Sequence, residues 1–314
     1  MAPQVESRKA KLLGPFYGPL RRVSQRLQTA REFRRDHQRY AQHSGWLEAE
    51  LPDVLDGAHL EAQLTKDYHR VEKGLALREP KRPFGAEVMT RLQRHTPANG
   101  AEAHSAYARD AIAALDLWNS GEEVRGPAAI EPLRAPDLDP GVATAFFESR
   151  RSVRDFDTER VPTREELLAA TELATHTPSV CNRQTGRVTY LSGDDARRAL
   201  GLQNGNAGFR DCIPWVAVVT SDTRFFAGPG ERNQPWVDGG LFAMTLVWAL
   251  HAHGLSSCML NWSQPNAVSD EARALIGIPE HEVIITFIAV GFAREGHLVA
   301  RSPRRPVETV ARFS

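Results

Sequence analysis

Cysteine is scarce in this sequence, and its positions argue against two common kinds of site. Three cysteines occur in 314 residues, Cys181, Cys212 and Cys258, with no CxxC pair and no metal-ligand spacing. An odd and sparse set is typical of a reducing compartment, where structural disulfides are rare. The composition therefore predicts neither a disulfide framework nor a cysteine-based metal site.

Long apolar runs and a surplus of charge are also missing. The apolar stretches are far shorter than a membrane span, and Met1–Gly14 lacks the apolar core of a signal peptide. Lysine plus arginine number 39, as do aspartate plus glutamate, so the formal net charge is zero. We therefore expect a cytoplasmic protein without a transmembrane segment, and one that does not bind nucleic acid through its overall charge.

The balanced total hides a basic N-terminal stretch. Residues 1–45 contain ten arginines or lysines and three acidic residues. Leu20, Val23, Leu27 and Phe33 recur within this stretch at roughly helical spacing. Two interpretations stay open, namely an amphipathic helix packed on its own protein, or a helix that docks to an acidic partner or to anionic lipid.

The chain changes character near residue 140. Residues 1–120 read as helical, whereas residues 121–141 contain glycine, proline and acidic residues without periodicity and predict a linker. Residues 142–314 alternate between helical and strand patterns. An α/β or α+β sandwich, with a sheet between helical layers, is the expected architecture of this third part.

Local signals place several elements in the C-terminal part. Thr163 and Glu166 form the pattern of a capping box at a helix start. Asp238–His253 is apolar nearly all round, which predicts a helix buried on several sides and ended by Gly254. Val283–Val290 is an unbroken apolar run rich in β-branched residues and predicts a strand covered on both faces.

Donors for a phosphate are concentrated just before these elements. In an extended segment Arg150, Ser152 and Arg154 point to one face, and Arg151 points to the other. Arginine forks match phosphate oxygens in a bidentate way, and a hydroxyl adds a short donor. Taken alone, the segment could equally be a solvated basic run.

Three further segments have the composition of ligand-binding loops. A Pro/Ser/Asn loop at 177–184 lies between a predicted helix and a predicted strand, although an ordinary turn would look the same. Small and apolar residues at 254–262 suit a flat aromatic ligand, although a plain buried helix and turn would also produce them. The basic ending at 301–306 places arginines between prolines, and a frayed tail is its alternative.

Together and in this order, the four segments resemble the nitroreductase family of FMN-dependent oxidoreductases along roughly residues 142–314. Gln203–Phe209, Cys258–Trp262 and Tyr68–Leu75 are similar to longer members, which carry a helical N-terminal extension and are often linked to bacterial polysaccharide clusters. The resemblance implies an α+β fold, a three-layer sandwich with a central, mostly antiparallel sheet flanked by helices. It also implies a helical N-terminal region, a linker and an FMN-binding domain at 1–120, 121–141 and 142–314.

The resemblance also implies a role for individual residues. Arg150, Ser152 and Arg154 would hold the ribityl chain and phosphate of FMN, and Arg304 would complete the phosphate site, with Arg301 and Arg305 as alternates. The backbone of Leu260 and Asn261 would point an N–H at flavin N5, and Arg210 would approach flavin N1 and O2. The loop residues that would reach the flavin from the other subunit of a homodimer are Pro178, Ser179, Val180 and Asn182. Further cofactor contacts are expected at Arg151, Gln184, Asn206, Ser257, Cys258 and Met259.

The activity implied by the resemblance is hydride transfer from NADH or NADPH, through FMN, to a small organic acceptor. Nitro, quinone and enone compounds are the expected acceptors, in a ping-pong mechanism, and no metal is expected. One alternative is a flavin- or metabolite-binding protein without hydride turnover. Another is a scaffold in a polysaccharide-related or membrane-associated assembly that works through the basic N-terminal helix.

Overall fold

The computed structural model describes residues 17–124 and 130–313, and within these ranges the chain contains nine α-helices and four β-strands. The helices are α1 (Tyr17–His43), α2 (Gly57–Leu75), α3 (Ala86–His95), α4 (Ala103–Asn119), α5 (Pro140–Ser149), α6 (Arg164–Ala174), α7 (Gly193–Gly201), α8 (Gln234–Ala252) and α9 (Asn266–Ile276). The strands are β1 (Gly186–Ser192), β2 (Trp215–Asp222), β3 (Ser256–Asn261) and β4 (Glu282–Gly291). The expectation about Met1–Gly14 and the middle of the predicted linker, residues 125–129, lie outside the described residues.

Helices α2, α3 and α4 form a bundle with an apolar core of its own. Leu64, Leu92 and Leu115 are fully buried in this core, and the cluster to which they belong contains no residue of the sheet. The N-terminal region is therefore helical, as the sequence predicts. Residues 130–139 have no regular secondary structure, and the division of the chain at 120 and 141 stays a prediction.

The four strands form one sheet in the order β1-β2-β4-β3, and every pair of neighbours is antiparallel. The resemblance led us to expect a mostly antiparallel sheet, and the described sheet is antiparallel throughout. Strands β2 and β4 occupy the centre, so their apolar residues are covered on both faces. The predicted buried strand at Val283–Val290 is confirmed as the middle of β4.

Helices cover both faces of the sheet. On one face α6 and α8 pack on alternate residues of β2 and β4, among them Ala217 and Ile288. On the other face α7 and α9 pack on the intervening residues, among them Val216 and Phe287. Because successive strand side chains point to opposite faces, two separate apolar clusters result. The predicted three-layer α+β sandwich is confirmed.

Local signals account for several element ends. The hydroxyl of Thr163 accepts the N–H of Glu166, whose carboxylate accepts the N–H of Thr163, so the predicted capping box is present. Gly254 adopts a left-handed φ of 73° after α8, as predicted for a C-terminal cap. Helix α8 begins at Gln234 rather than at Asp238, since Pro235 in its first turn favours a helix start there.

A close approach between α8 and the sheet depends on one glycine. A Cβ atom at Gly239 would lie 2.5 Å from Cγ1 of Ile285 in β4, whereas one at Gly240 would meet nothing within 4 Å. Any larger residue at Gly239 would therefore push the helix away from the strand. Of the paired glycines, only the first serves the close approach that the sequence suggested.

Helix α1 joins the N-terminal region to the sandwich through its C-terminal half. Arg39 in α1 donates from Nη1 to Oδ1 of Asn266 at 3.0 Å, and Gly45 forms a parallel bridge with Ala227. Across residues 17–124 and 130–313, none of the helices combines the length and the apolarity needed to cross a bilayer.

Candidate functional site

Residues 150–157 run along the open edge of β3. The backbone N–H of Val153 donates to the carbonyl oxygen of Ser257 at 3.1 Å, and Ser152 forms a parallel bridge with the same residue. Val153 is buried in the apolar cluster beneath α7 and α9. Since side chains alternate along an extended segment, this anchoring turns Ser152 and Arg154 away from the core.

Guanidinium groups from two distant segments meet beside this edge. The guanidinium of Arg150 lies 5.5 Å from the centroid of the Trp248 ring. Burial lowers the pKa of Arg150, and the positive charge of Arg304 and then of Arg151 lowers it further. Within the described part of the chain, neither Arg150 nor Arg154 forms an ion pair with a carboxylate. Uncompensated positive charges held together in this way favour binding of an anion.

The thiol of Cys258 lies at the centre of this group. Burial raises its pKa, while the charge of Arg154, a hydrogen bond with Ser152 and the charge of Arg150 act in the opposite direction. Its Sγ atom is therefore close to all three predicted phosphate-binding side chains of the 150–157 segment. We call Arg150, Ser152, Arg154 and Arg304 the arginine cluster.

Two other predicted phosphate contacts stand outside the arginine cluster. Arg151 folds back on the end of α5, where its Nη1 donates to the carbonyl oxygens of Glu148 and Arg150. It thereby caps a helix whose last carbonyl groups lack partners within the helix. Arg301 is exposed in the extended C-terminal segment.

Leu260 and Asn261 present their backbone groups to opposite sides of β3. The N–H and C=O of one strand residue point to the same side, and the side alternates along the strand. The Ser257 carbonyl faces the open edge, so the backbone groups of Asn261, four residues on, also face it. The Leu260 carbonyl faces β4, where the Thr286 hydroxyl donates to it at 3.0 Å. Of the two residues, Asn261 therefore offers its N–H to the open edge.

Side chains along β3 follow the same alternation. Cys258 and Leu260 are each 2% exposed and belong to the core beneath α7 and α9, whereas Met259 is 44% exposed. Asn261 is exposed as well. The face of β3 that carries these two exposed residues is thus available to a ligand or to a second chain.

A buried polar network holds the end of β3. Gln203 donates from Nε2 to the carbonyl oxygen of Asn261 at 2.9 Å, and its Oε1 accepts from Nδ2 of Asn206 at 2.9 Å. Oδ1 of Asn206 accepts from Nε of Arg210 at 2.7 Å. Asn206 is 0% exposed and both of its polar side-chain atoms are used within the network. This geometry makes Asn206 a support for Arg210 rather than a ligand contact.

Trp262 belongs to the core rather than to the open edge. Its ring stacks on Phe287 with centroids 4.5 Å apart and planes 19° apart. Its indole N–H donates to the hydroxyl of Ser269 at 3.0 Å. The bulky residue after Asn261 is therefore turned into the layer of α7 and α9.

The loop at 178–184 has an uncommon backbone. Cys181, Asn182 and Gln184 adopt φ values of 48°, 54° and 49°. Residues other than glycine rarely occupy this left-handed region, and such strained positions cluster at ligand-binding sites. The hydroxyl of Ser179 accepts the N–H of Gln184 at 2.9 Å and so closes the loop on itself.

Buried charged groups that sequence analysis missed hold this loop in place. Asp238 accepts the N–H of Val180 at 3.1 Å, and burial raises the pKa of its carboxyl group. Arg183, 3% exposed, pairs with Glu231 at 2.6 Å. The only signals in the sequence were an aspartate before two glycines and an arginine within the loop. Nothing in the sequence shows that Glu231 would be the partner of that arginine.

The arginine cluster and the loop lie at diagonally opposite corners of the sheet. The loop enters β1 at one edge, where Gly186 pairs with Ser221 at the end of β2. The cluster adjoins the opposite edge, where Ser257 pairs with Val290 near the other end of β4. Typical strand spacings and rises place these corners roughly 25 Å apart. One small ligand therefore cannot contact both within a single chain.

Comparison with known proteins places residues 147–204 and 201–292 in matches to the model of the nitroreductase family. The matched residues include most of the arginine cluster, the loop and the whole sheet. Across the described residues, no group of three or more histidine, cysteine, aspartate or glutamate side chains is arranged to hold a metal ion.

Individual relatives cover the same part of the chain. The nitroreductase NfnB of Mycolicibacterium smegmatis is 27% identical over 224 residues, which are 55% of this chain and 92% of that protein. A Thermus thermophilus NADH dehydrogenase is 28% identical over 194 residues, covering 51% and 90% of the two chains. The solved structure of FMN-dependent NfnB from Mycobacterium smegmatis with NADPH has a TM-score of 0.45 and 22% identity, covering 55% of this chain and 97% of that one.

Proposed function

Through residues 147–292 this chain belongs to the nitroreductase family, and we propose that it is an FMN-dependent oxidoreductase. In this proposal it passes hydride from NADH or NADPH to a small organic acceptor of the nitro, quinone or enone type by a ping-pong mechanism. The proposal goes beyond family membership, because it assigns a cofactor, a donor and an acceptor class to this chain.

The observation that carries the proposal is the arginine cluster. Arg150 and Arg154 converge with Ser152, and the charge of Arg304 reaches Arg150, without a neutralising carboxylate on Arg150 or Arg154 in the described chain. A terminal phosphate supplies the missing negative charge and accepts several charge-assisted hydrogen bonds at once. The residues present therefore fit the phosphate of FMN.

The other end of the open edge of β3 suits a flavin ring. When bound, FMN carries hydride between a nicotinamide and an acceptor. The N–H of Asn261 is available as a donor there, and Gln203 fixes the same peptide through its carbonyl oxygen. Arg210, oriented by Asn206, adds positive charge on the same network. These groups would donate a hydrogen bond to N5 and stabilise negative charge near N1 and O2.

A homodimer accommodates the separation between the cluster and the loop. In a two-fold pair, the loop of one chain can approach the arginine cluster of the other, which a single chain does not allow. Exposed apolar side chains on α5 and α8 provide a surface for pairing, with Phe147 61%, Trp236 48% and Leu241 44% exposed. We therefore propose two equivalent sites, each built from both chains.

The phosphate assignment is tested by comparing FMN with riboflavin, which lacks the phosphate. We expect the full chain to bind FMN far more tightly, measured as quenching of flavin fluorescence. Arg304→Ala should weaken FMN binding by ~30-fold, because a hydrogen bond to a charged group contributes ~1.5–3 kcal/mol. Arg305→Ala is the matched control and should retain full affinity. Equal affinity for the two flavins would contradict the assignment.

The redox part of the proposal is tested by anaerobic reduction of the FMN-loaded protein. We expect NADH or NADPH to bleach the flavin absorbance, and a nitro compound, quinone or enone to restore it. Flavin that stays oxidised with both nicotinamides would instead favour a flavin-binding protein without hydride turnover.

A further inference from the structure

Helix α1 has two halves with different surroundings. The C-terminal half docks on the start of α9, where Glu32 accepts the backbone N–H of Asn266 at 2.7 Å. Arg39 donates to the side chain of Asn266, and Arg35 pairs with Asp270. Basic and acidic side chains of this half are thus matched by partners on the sandwich.

The N-terminal half extends away from these contacts. Every residue from Leu20 to Arg31 is exposed, and this stretch contains four arginines and no acidic residue. Leu20, Val23 and Leu27 are 52%, 53% and 59% exposed. Isolated helices of this length are marginal in water, so a surface that covers this half would stabilise it.

The exposed apolar side chains form a stripe on the side of α1 that faces away from the protein. At about 100° per residue, Leu20, Val23, Leu27 and Ala30 fall within an arc of about 80°. The residues that contact α9, such as Glu32, lie on the opposite side of the same helix. Packing on the described part of the chain therefore cannot cover the stripe.

Arginines border the stripe. Arg26 lies along one side and Arg31 along the other, and Arg34 continues the same face toward the docked half. Within residues 17–124 and 130–313, Arg22, Arg26, Arg31 and Arg34 form no ion pair. A helix with a narrow aliphatic stripe between arginines has the pattern of helices that lie in the interface of an anionic membrane.

We propose that the N-terminal half of α1 binds the surface of a bilayer containing anionic lipids. The aliphatic side chains insert at the boundary between head groups and acyl chains, and the arginines contact lipid phosphates. The stripe consists of Leu, Val and Ala, without the aromatic anchors that dominate specific protein interfaces, so lipid is favoured over an acidic protein. The docked half of α1 then holds the sandwich beside the membrane.

The test is flotation of the full chain with vesicles. We expect the protein to float with vesicles of phosphatidylcholine mixed with phosphatidylglycerol and to stay behind with vesicles of pure phosphatidylcholine. Added salt should reduce the floating fraction, because it screens the arginine charges. Absence of binding to the anionic vesicles would overturn the proposal.

Two sets of variants separate the stripe from the charges. Leu20→Ser, Val23→Ser and Leu27→Ser combined, or Arg22→Gln, Arg26→Gln, Arg31→Gln and Arg34→Gln combined, should each lower partitioning at least about tenfold. The control removes equal charge from exposed positions elsewhere, through Arg94→Gln, Arg164→Gln, Arg197→Gln and Arg198→Gln. It should float like the wild type.

A separate measurement covers the alternatives. The urea midpoint of both α1 variants should equal that of the wild type, since residues 20–31 are exposed. Vesicle binding that both variants retain would overturn the proposal. So would an oligomer that depends on the stripe and forms without any binding to anionic vesicles, because the occupant would then be a second copy of the chain.

Discussion

At the scale of single residues, the candidate site depends on polar side chains that touch one another rather than a ligand. Asn206 was expected at the cofactor because of the segment in which it lies. The structure buries it completely and uses its amide to join Gln203 to Arg210. A sequence pattern can place such a residue in a functional segment, but it cannot show which atoms satisfy a buried amide.

The network predicts different results for two neighbouring asparagines. Asn206→Ala leaves buried hydrogen-bonding groups on Gln203 and Arg210 without a partner, so we expect ~2 kcal/mol lower free energy of unfolding. The same change should weaken FMN binding, because Arg210 and the Asn261 peptide lose their support. Asn204, which is exposed, provides the control, and Asn204→Ala should change neither quantity. Urea unfolding and flavin titration measure the two effects, and equal behaviour of the variants would argue against the network.

At the scale of elements, local signals were sufficient for helices and strands but not for their partners. The capping box at Thr163, the glycine after α8 and the buried strand within β4 were all visible in the sequence. The ion pair between Arg183 and Glu231 joins residues far apart in the chain, and no periodicity marks it. The order of the strands likewise depends on packing between distant segments.

One carboxylate links several elements of the N-terminal bundle. Glu48 pairs with Lys66 at 2.5 Å and Arg70 at 2.7 Å on α2, and lies 3.5 Å from Arg91 on α3. The hydrogen bond from Arg70 is the largest influence on Glu48, and its pKa falls from 4.5 to about 2. A carboxyl whose pKa is lower in the folded state stabilises the fold above its unfolded pKa and loses that contribution in acid.

The lowered pKa gives a prediction with a defined pH window. Near neutral pH, Glu48→Gln should reduce the free energy of unfolding by ~1–2 kcal/mol, because three basic side chains lose a charged partner. The difference from wild type should shrink as pH falls from 4.5 toward 2. Glu50→Gln, at an exposed position two residues away, should have little effect at any pH. A Glu48→Gln deficit that persists unchanged at the acid end, measured by urea unfolding, would contradict this explanation.

At the scale of the whole molecule, the N-terminal bundle and the sandwich meet behind the 178–184 loop. Helix α2 packs against the turn at Val180–Asn182 and against the turn at Thr223–Phe225. The bundle therefore supports the loop that, in our proposal, reaches the partner chain. The sequence predicted a helical region here, but its position against the loop depends on contacts that no local pattern encodes.

The central claim is that each FMN site takes its arginine cluster from one chain and its loop from the other. Mixing two inactive variants tests it most directly. Arg150→Ala removes part of the cluster, and Ser179→Trp blocks the loop, so each homodimer alone should bind little FMN. After unfolding and refolding together, random pairing should restore about a quarter of the sites, because one site of every mixed dimer is intact. Recovery of that fraction, measured as protein-bound flavin absorbance, is the result we predict, and a mixture that binds no more FMN than the separate variants would contradict the two-chain site.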